Sequence, residues 1–281
     1  MIRRSTLVAL NLGVALSLLA LFFLISPVMA ADPTTQVRVV KYDGNGTTVL
    51  KERTVAYQWM EENLPVHGDG VTHYYHQGPV FEGDSWDPEE TVNLKDKGAV
   101  KGTALRDLCD MVGGMSPNDA LMLASLDGYT MEFGYKNVYE PLERQGPIVL
   151  CWYKEEEDPD ENYGVGYPGK DAYNSAMQIV FMARTLNPEG KYVFGNSDMR
   201  ICLPEEKYQH FYDGYPSTNG LCGKWISEVR IYNGNQPIDP TFHSSSLPDE
   251  RVSRSVEWIP VVLSIAGLVL VGLAVYVWKR K

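Results

Sequence analysis

Cysteine is scarce in this chain, and the spacing of the few cysteines excludes one class of site. Only four are present among 281 residues, at positions 109, 151, 202 and 222. None of them stands in the C-x-x-C spacing of a cysteine-based zinc site, so we do not expect one. Cys202 and Cys222 flank a loop that contains proline and glycine, and we predict a disulfide between them. Cys109 belongs to the apolar face of a predicted helix and is expected to be a buried thiol.

Several signatures of catalysis and nucleotide binding are missing as well. The chain has no Ser-His-Asp spacing, no glycine-rich phosphate loop and no HExxH motif. A hydrolase or a nucleotide-binding enzyme is therefore not indicated. The acidic run at residues 155–161 lacks the spacing of an EF-hand calcium loop, and we interpret it as a solvated loop.

Positive charge is in short supply outside the two ends of the chain. The whole sequence carries 25 basic and 36 acidic residues, for a net charge of −11. Five of the basic residues lie in the end segments, which leaves 20 basic against 36 acidic residues, or −16, between them. A surface this acidic repels nucleic acid and anionic lipid. A nucleic-acid partner is therefore not expected.

Long apolar runs are confined to the two ends. Residues 7–28 follow two arginines and lead into Pro27-Val-Met-Ala30, which is typical of a cleavage site, so residues 1–30 are either a cleaved signal peptide or a retained anchor. Residues 259–278 run for about twenty positions without a charge, which is enough to span a membrane as a helix. The alternative, a buried core helix, is disfavoured because core helices rarely stay apolar for so long.

Both apolar runs predict the same topology. Basic residues flank them on the cytoplasmic side by the positive-inside rule, so the chain between them faces outward whether or not the first run is cleaved. We therefore predict a protein of the cell membrane with a single C-terminal span. Its parts are an extracytoplasmic domain at 31–232, a flexible stalk at 233–257, a membrane helix at 258–278 and a cytoplasmic tail at 279–281.

The strongest local pattern lies at residues 98–135. Apolar residues recur at helical spacing after Thr103, which can cap the helix, and two glycines at 113 and 114 end it. An apolar run, an Asp-Gly turn and an alternating run then predict a β-hairpin over residues 121–133. The segment is thus predicted to be a compact helix-and-hairpin unit.

The rest of the domain alternates between predicted strands and loops. A long segment without periodicity, residues 66–90, is interpreted as an irregular loop, and such loops are often functional. Residues 200–217 are interpreted as a second loop. The other predicted elements are a hairpin at 36–53, a helix at 54–64, a strand at 147–153, a hairpin at 177–194 and a final strand at 223–232.

Short motifs in this order resemble one known family. Residues 54–65 resemble a helix that ends in Leu-Pro, and Lys101-Gly-Thr-Ala-Leu-Arg-Asp-Leu-Cys109 is similar to a Gly-Val-Pro-Leu-x-x-Leu-Leu helix. Asp127-Gly-Tyr129 resembles an Asp-Gly-Tyr hairpin, and Gly220-Leu-Cys-Gly-Lys-Trp225 resembles a closing Gly-Tyr-x-x-x-Lys-Trp pattern. The family is that of molybdopterin-binding oxidoreductase domains of the sulfite oxidase type, and the resemblance covers residues 54–232.

The resemblance implies a fold and a cofactor position. The fold is α+β, with a mixed, largely antiparallel and partly barrel-like sheet core of the sulfite-oxidase molybdopterin-domain type. Gly223, Lys224 and Trp225 would face the cofactor pocket; the alternative is an ordinary strand lysine beside a core tryptophan. The chain also resembles acidic, membrane-anchored surface proteins of methanogenic archaea that carry such a domain.

The departures from the family pattern concern its chemistry. In the family a cysteine thiolate coordinates molybdenum from the segment before the second helix, but residues 71–100 of this chain contain no cysteine. Tyrosine and glutamine do not replace a soft metal–sulfur bond. An arginine-rich pocket, which an anionic cofactor or oxyanion substrate would require, is not evident either. We expect a scaffold that was kept while its redox chemistry was lost or replaced.

His73-Tyr-Tyr-His76 is the sharpest local candidate for a site. On a helix the two imidazoles would share a face and could bind one divalent metal ion, whereas on a strand they would point to opposite sides. His67 and His210 could complete such a site in space. The alternative is that all four are polar or stacked loop residues with internal hydrogen bonds.

Aromatic residues offer a second candidate. They could line a cleft for a sugar or another small ligand, because aromatic rings combine a large apolar area with a polar group. The alternative is ordinary core and loop packing. The residues concerned are Tyr74, Tyr75, Trp86, Tyr163, Tyr167 and Tyr173.

Three functions remain open at this point. The first is a membrane-anchored extracytoplasmic domain with a binding or surface-interaction role, with or without a metal at the histidines. The second is a working molybdopterin-dependent oxidoreductase that lacks the thiolate or takes it from Cys109 or Cys151. The third is a structural protein of the cell envelope.

Overall fold

The computed structural model describes residues 34–44, 46–155, 165–169 and 176–234. Over these ranges the chain forms a mixed α+β domain with mostly antiparallel sheets, which confirms the predicted fold class at this level. No helix in the part of the chain so described is long and apolar enough to cross a membrane. The predicted signal or anchor, membrane helix and tail lie outside the described residues, as do most of the stalk and of the acidic loop.

One sheet joins the beginning of the described chain to its end. Its strands are β1 (Gln36–Tyr42), β2 (Val49–Ala56), β5 (Ala120–Ser125), β6 (Thr130–Gly134) and β12 (Ile226–Tyr232). They lie in the order β2-β1-β12-β5-β6. Neighbours pair antiparallel except for β1 and β12, which run parallel. The two ends of the domain are therefore held together by backbone hydrogen bonds.

A second five-stranded sheet is strongly curled. Its strands are β3 (His73–Gln77), β4 (Leu94–Ala104), β7 (Ile148–Lys154), β8 (Gln178–Phe181) and β9 (Tyr192–Phe194), in the order β8-β7-β4-β3-β9. Only β3 and β9 pair in parallel. The backbone N–H of Phe181 on β8 donates to Nε2 of His76 on β3 at 3.1 Å, although two strands lie between them in the sheet. This bond ties the two sides of the curled sheet together.

The helices are short and rest on these sheets. They are α1 (Tyr57–Asn63), α2 (Leu105–Asp110), α3 (Tyr135–Tyr139) and α4 (Asn196–Cys202), with 3₁₀ helices at Glu206–Tyr208 and Thr218–Leu221. A short hairpin of β10 (Phe211–Tyr212) and β11 (Tyr215–Pro216) lies between the two 3₁₀ helices. Helices of this length are not stable alone in water, so they depend on tertiary packing.

The main core contains apolar side chains from both sheets. Val229 and Ile231 of β12 and Leu150 and Trp152 of β7 belong to it, together with the buried face of α2. Because side chains alternate along a strand, β7 also presents a second face. That face forms a smaller cluster within the curled sheet, made of Val100, Val149, Cys151, Val180 and Met182.

The helix-and-hairpin unit is confirmed, but its predicted cap is wrong. The helix is α2 and the hairpin is formed by β5 and β6. Thr103 does not cap α2, because it is the fully buried penultimate residue of β4 and its Oγ1 accepts a hydrogen bond from Trp152 Nε1 at 3.1 Å. The N-cap residue is Ala104, so the strand continues directly into the helix.

Several other boundaries differ from the prediction because pairing partners far away in the sequence decide them. The predicted helix at 54–64 is confirmed as α1, but its first residues complete β2. The predicted loop at 66–90 contains β3, and the loop at 200–217 contains the end of α4 and the short hairpin. Of the hairpin predicted at 177–194, the turn at residues 187–190 and one antiparallel bridge, Leu186 to Tyr192, form, but β9 pairs with β3 rather than with β8.

The predicted disulfide between Cys202 and Cys222 is absent. All four cysteines are free and buried. Cys202 ends α4 near the carboxyl group of Asp198, whereas Sγ of Cys222 lies 2.6 Å from Nδ1 of His76. The two thiols thus have different surroundings, which their spacing along the loop did not reveal. The prediction that Cys109 is a buried thiol is confirmed.

Glu90 caps the first turn of α4 with a buried carboxyl group. Its Oε1 accepts a hydrogen bond from the Asp198 backbone N–H at 2.8 Å, and its side chain packs on Gly195, where a Cβ would lie 2.2 Å from the Glu90 Cδ. Asp198 in turn pairs with Arg144. Burial and the neighbouring Asp198 carboxylate raise the pKa of Glu90 to about 8. Glu90 therefore holds a proton at neutral pH.

We predict that this carboxyl group makes the domain less stable as the pH rises. The folded-state pKa lies above the ordinary value of 4.5, so the stabilising contribution is complete below pH 4.5 and is lost as the pH approaches 8. Glu90→Gln keeps the hydrogen-bond acceptor and removes the titrating group. Between pH 5 and 8 the free energy of unfolding of the wild type should therefore fall by on the order of 2 kcal/mol more than that of the variant. Thermal unfolding across this range measures it.

Glu89→Gln is the matched control, because Glu89 is the exposed neighbour of Glu90. It should leave the pH dependence of the unfolding temperature unchanged. Equal slopes for wild type and Glu90→Gln would contradict the prediction.

Candidate functional site

The two histidines of the His73-Tyr-Tyr-His76 motif lie on opposite faces of β3. His73 is half-buried, and its Nδ1 lies 2.8 Å from Asp96 Oδ2. His76 is fully buried, and its ring lies edge to face against the stacked rings of Phe181 and Phe194. The strand conformation is the physical reason for this separation, because residues three apart on a strand point to opposite sides.

The other two candidate histidines have partners of their own. Nε2 of His67 lies 3.4 Å from Oδ2 of Asp107. His210 packs on Gly220, where a Cβ would lie 2.0 Å from the His210 Nδ1, and its ring meets the ring of Tyr129 at 6.4 Å. Among the residues that the structure describes, no group of three or more His, Cys, Asp and Glu side chains could hold a metal ion. The structure does not bring the four histidines together.

Gly223, Lys224 and Trp225 join the two sheets through their backbone. The carbonyl of Gly223 accepts the Ile179 N–H of β8 at 2.9 Å, and the carbonyl of Trp225 accepts the N–H of Leu126, which follows β5, at 3.0 Å. Trp225 has a φ of 52°, so the chain bends sharply before β12 begins. The three residues line neither of the two clefts that follow.

A polar cleft of about 520 Å³ opens beside α2 and contains the His67–Asp107 pair. Arg106 and Arg184 line it as well. On its wall the Tyr139 hydroxyl donates to Asp110 Oδ1 at 2.6 Å. Burial, followed by this hydrogen bond, raises the pKa of Tyr139. The cleft presents charges of both signs and an imidazole, which suits a small polar ligand.

A second cleft, of about 950 Å³, lies on the other side of α3. Its walls are fixed by Asn137, whose amide donates to the Cys202 carbonyl at 2.8 Å and to Gln145 Oε1 at 3.1 Å. Glu140 and Pro141 line both clefts. Asn137 and Gln145 are thus bonded to each other, and charged side chains, among them Lys136, Glu205 and Lys207, also line this cleft.

Five aromatic side chains from two segments lie at the short hairpin as two edge-to-face pairs and one further tyrosine, and we call them the aromatic cluster. Phe81 meets Tyr215 with ring centroids 5.0 Å apart, and Trp86 meets Phe211 at 6.1 Å, both edge to face. Tyr212 pairs with Tyr215 across the short hairpin. Phe81 and Tyr212 are 57% and 59% exposed. Exposed aromatic residues in such a group mark an interaction surface.

The backbone around the aromatic cluster is well anchored. The Trp86 N–H donates to Asp84 Oδ1 at 3.0 Å, which fixes the loop by a local side-chain turn. Asp213 and Gly214 both have positive φ, at 50° and 81°, as a tight hairpin turn requires. The guanidinium of Arg200 lies 5.0 Å from the centre of the Trp86 ring. The cluster is therefore held in place, with exposed carboxylates at Glu82, Asp84 and Asp213 around it.

The predicted aromatic cleft does not form as a whole. Trp86 belongs to the aromatic cluster, but Tyr74 packs beside Tyr192 at 5.9 Å and Tyr167 stacks on Trp152 at 6.1 Å. Tyr75 lies beside His73, and Tyr163 and Tyr173 lie outside the described residues. Sequence reasoning missed the other four members of the cluster. Aromatic residues inside loops rich in glycine and aspartate were the signal that could have found them.

Neither cysteine proposed as a thiolate ligand is available for that role. Cys109 is fully buried and Cys151 is 3% exposed, and both belong to apolar clusters. Burial raises the thiol pKa of each one. The structure therefore contradicts the version of the second open function that takes its thiolate from Cys109 or Cys151.

No protein-family model matches this chain, and a search of curated proteins finds no match either. The fold class therefore rests on the structure, and the function rests on the chemistry of the sites described above.

Proposed function

We propose that this chain is a membrane-anchored extracytoplasmic protein whose domain binds a partner at the cell surface through the aromatic cluster. The observation that carries this proposal is the exposure of Phe81 and Tyr212, at 57% and 59%, beside three further aromatic side chains. Leaving such rings in water costs free energy that a bound partner recovers. The apolar end segments of the sequence support the membrane location.

The partner that suits this surface is a carbohydrate. Aromatic rings stack on the C–H faces of sugars, and the Tyr212 hydroxyl and Trp86 indole N–H offer polar contacts at the ring edges. The exposed carboxylates of Glu82, Asp84 and Asp213 can accept hydrogen bonds from sugar hydroxyls. The net charge of −16 between the end segments disfavours nucleic acids and anionic lipids instead.

The scaffold is proposed to be that of a molybdopterin-type oxidoreductase without its cysteine ligand. The mixed α+β architecture with mostly antiparallel sheets is compatible with this origin. Residues 71–100 contain no cysteine, and Cys109 and Cys151 are buried. The alternatives are an active molybdopterin-dependent oxidoreductase and a structural protein of the cell envelope.

The proposed function predicts that Tyr212→Ala weakens carbohydrate binding by about tenfold, which corresponds to the loss of one stacked ring. The full-length protein in detergent micelles can be screened on a carbohydrate array, and the best ligand titrated by calorimetry. Leu50→Ala is the control, because Leu50 is 54% exposed but lies on the edge strand β2, outside the aromatic cluster. The Leu50→Ala variant should bind the carbohydrate with the affinity of the wild type.

Two outcomes would contradict the proposed function. One is that no carbohydrate binds on the array, or that Tyr212→Ala binds the best ligand with the affinity of the wild type. The other is stoichiometric molybdenum with a pterin in the purified protein, which would favour the oxidoreductase instead. Elemental analysis and fluorescence of the released pterin measure the second outcome directly.

A further inference from the structure

Cys222 and His76 form a buried pair that carbohydrate binding does not use. Sγ of Cys222 lies 2.6 Å from Nδ1 of His76, although the two residues are 146 positions apart in the sequence. His76 is fully buried, and Cys222 is 7% exposed. The segment that carries Cys222 lies between the 3₁₀ helix Thr218–Leu221 and β12. A thiol and an imidazole are thus brought together by the tertiary fold alone.

The ring of His76 is held so that Nδ1 faces Sγ of Cys222. The Phe181 backbone N–H donates to Nε2 at 3.1 Å, and the rings of Phe181 and Phe194 lie edge to face with the imidazole at 5.6 and 6.0 Å. Nε2 also lies 3.3 Å from the Phe181 carbonyl oxygen, and we assign the ring proton to Nδ1 because the contact in which Nε2 accepts is the shorter of the two. Nδ1 then donates to Sγ of Cys222. A hydrogen bond donated to sulfur favours the thiolate over the thiol.

The other three cysteines lack such a partner in the contacts that the structure describes. Burial raises the pKa of Cys109 and Cys151, and it raises the pKa of Cys202 to about 12. Cys202 and Cys222 are equally exposed as whole residues, at 7% each, so Cys202 is the comparison for Cys222. Cys151 and Tyr129 are the other titratable groups whose charge interacts with that of Cys222.

We propose that Cys222 is a nucleophilic thiol, activated by His76, that reacts with small uncharged electrophiles, and that peroxides are the class it meets outside the cytoplasm. The small exposed area of Cys222 admits only small reagents. The acidic surface disfavours anionic reagents. This site is independent of the aromatic cluster.

Hydrogen peroxide oxidises such a thiol by two electrons. The thiol releases its proton to solvent, and the thiolate, held by Nδ1–H of His76, attacks one peroxide oxygen. An S–O bond forms and the O–O bond breaks, with hydroxide as the leaving group. Hydroxide then takes up the released proton to give water. The sulfur is oxidised to a sulfenic acid, and the peroxide is reduced to water.

The test compares the four thiols in the native full-length protein in detergent micelles. Iodoacetamide is added at pH values from 5.5 to 8.5, and carbamidomethylation of each cysteine is followed by peptide mass spectrometry. At pH 6 Cys222 should react at least tenfold faster than Cys202, and its rate should rise much less than tenfold per pH unit. Hydrogen peroxide with a sulfenic-acid trap should label Cys222 first.

Substitutions test whether the fast labelling depends on Cys222 and His76. Cys222→Ser should abolish it, whereas Cys202→Ser, the matched control, should leave it intact. His76→Phe, which keeps a ring of similar shape but has no N–H to donate to the sulfur, should lower the Cys222 rate to that of Cys202. If His76→Phe does not fold, the pH profile of the wild-type protein still decides.

Three results would overturn the proposal. The first is equal reactivity of Cys222 and Cys202 in the native protein. The second is a Cys222 rate that rises tenfold per pH unit up to pH 8.5, as for an unassisted thiol. The third is a complete lack of labelling at Cys222 by iodoacetamide and peroxide until the protein is denatured.

Discussion

Phe181→Ala is expected to lower the free energy of unfolding by about 4 kcal/mol. Phe181 is fully buried, stacks on Phe194 with ring centroids 4.7 Å apart, and meets Phe133 edge to face at 5.6 Å. Truncation removes the buried ring and leaves a cavity among rigid neighbours, which relax only in part. The backbone N–H that holds His76 remains, so the loss measures packing rather than hydrogen bonding.

Thermal unfolding of the full-length protein, followed by tryptophan fluorescence, measures this loss. Phe81→Ala is the matched control, because it removes the same ring from a position that is 57% exposed. The control should change the free energy of unfolding by less than about 1 kcal/mol. If both variants lose the same stability, the main core does not extend across β8 as the structure has it.

Gly146→Ala is expected to be nearly as damaging, for a reason that concerns the backbone. Gly146 has a φ of 64°, and a Cβ there would lie 1.7 Å from the carbonyl oxygen of Met182. The positive φ costs an alanine about 1–2 kcal/mol. The overlap with the backbone after β8 forces a shift of the chain and adds about 2 kcal/mol. The total is about 3–4 kcal/mol.

A second glycine separates the cost of the positive φ from the cost of the steric overlap. Gly190 also has a positive φ, 76°, but nothing lies within 4 Å of the position that a Cβ would take there. Gly190→Ala should therefore lose only the conformational part, about 1–2 kcal/mol. Equal losses in the two variants would show that the chain near Met182 can move away without cost. Thermal unfolding of both variants gives the comparison.

Patterns within one short segment were predicted well from the sequence. The apolar spacing after Thr103 identified α2, and the Asp-Gly turn identified the hairpin of β5 and β6. Both signals are local, because a helix and a tight hairpin are stabilised by residues near in the sequence. Even here the predicted cap was wrong, because Thr103 belongs to the strand β4 and pairs with Leu150 of β7, 47 positions further on.

Elements with distant partners were predicted poorly. Leu94–Ala104 shows no clean alternation, yet it becomes the strand β4 because β3 and β7 pair on its two sides. His73 and His76 were given alternative conformations, and only the pairing of β3 decided between them. Register and strand neighbours depend on long-range contacts that a pattern of single residues does not encode.

The candidate sites were also predicted poorly from the sequence, for the same reason. Trp86 was among the predicted site residues, but the ring that it meets, that of Phe211, belongs to a hairpin more than one hundred residues later. The spacing of Cys202 and Cys222 predicted a bond that the fold does not make, because each thiol has a different neighbour. A site is a spatial arrangement, so sequence distance does not determine it.

By itself the sequence determined the helix-and-hairpin unit and the acidic charge, and it predicts a signal peptide or anchor at the start and a membrane helix at the end. These properties depend on composition and on periodicity within short segments, whereas the α+β class was implied by the family resemblance. Only the tertiary structure decided which groups meet: Cys222 with His76, Glu90 with Asp198, and the rings of the aromatic cluster. Such contacts join residues far apart in the chain, and their position follows from sheet order and packing, which no local pattern contains.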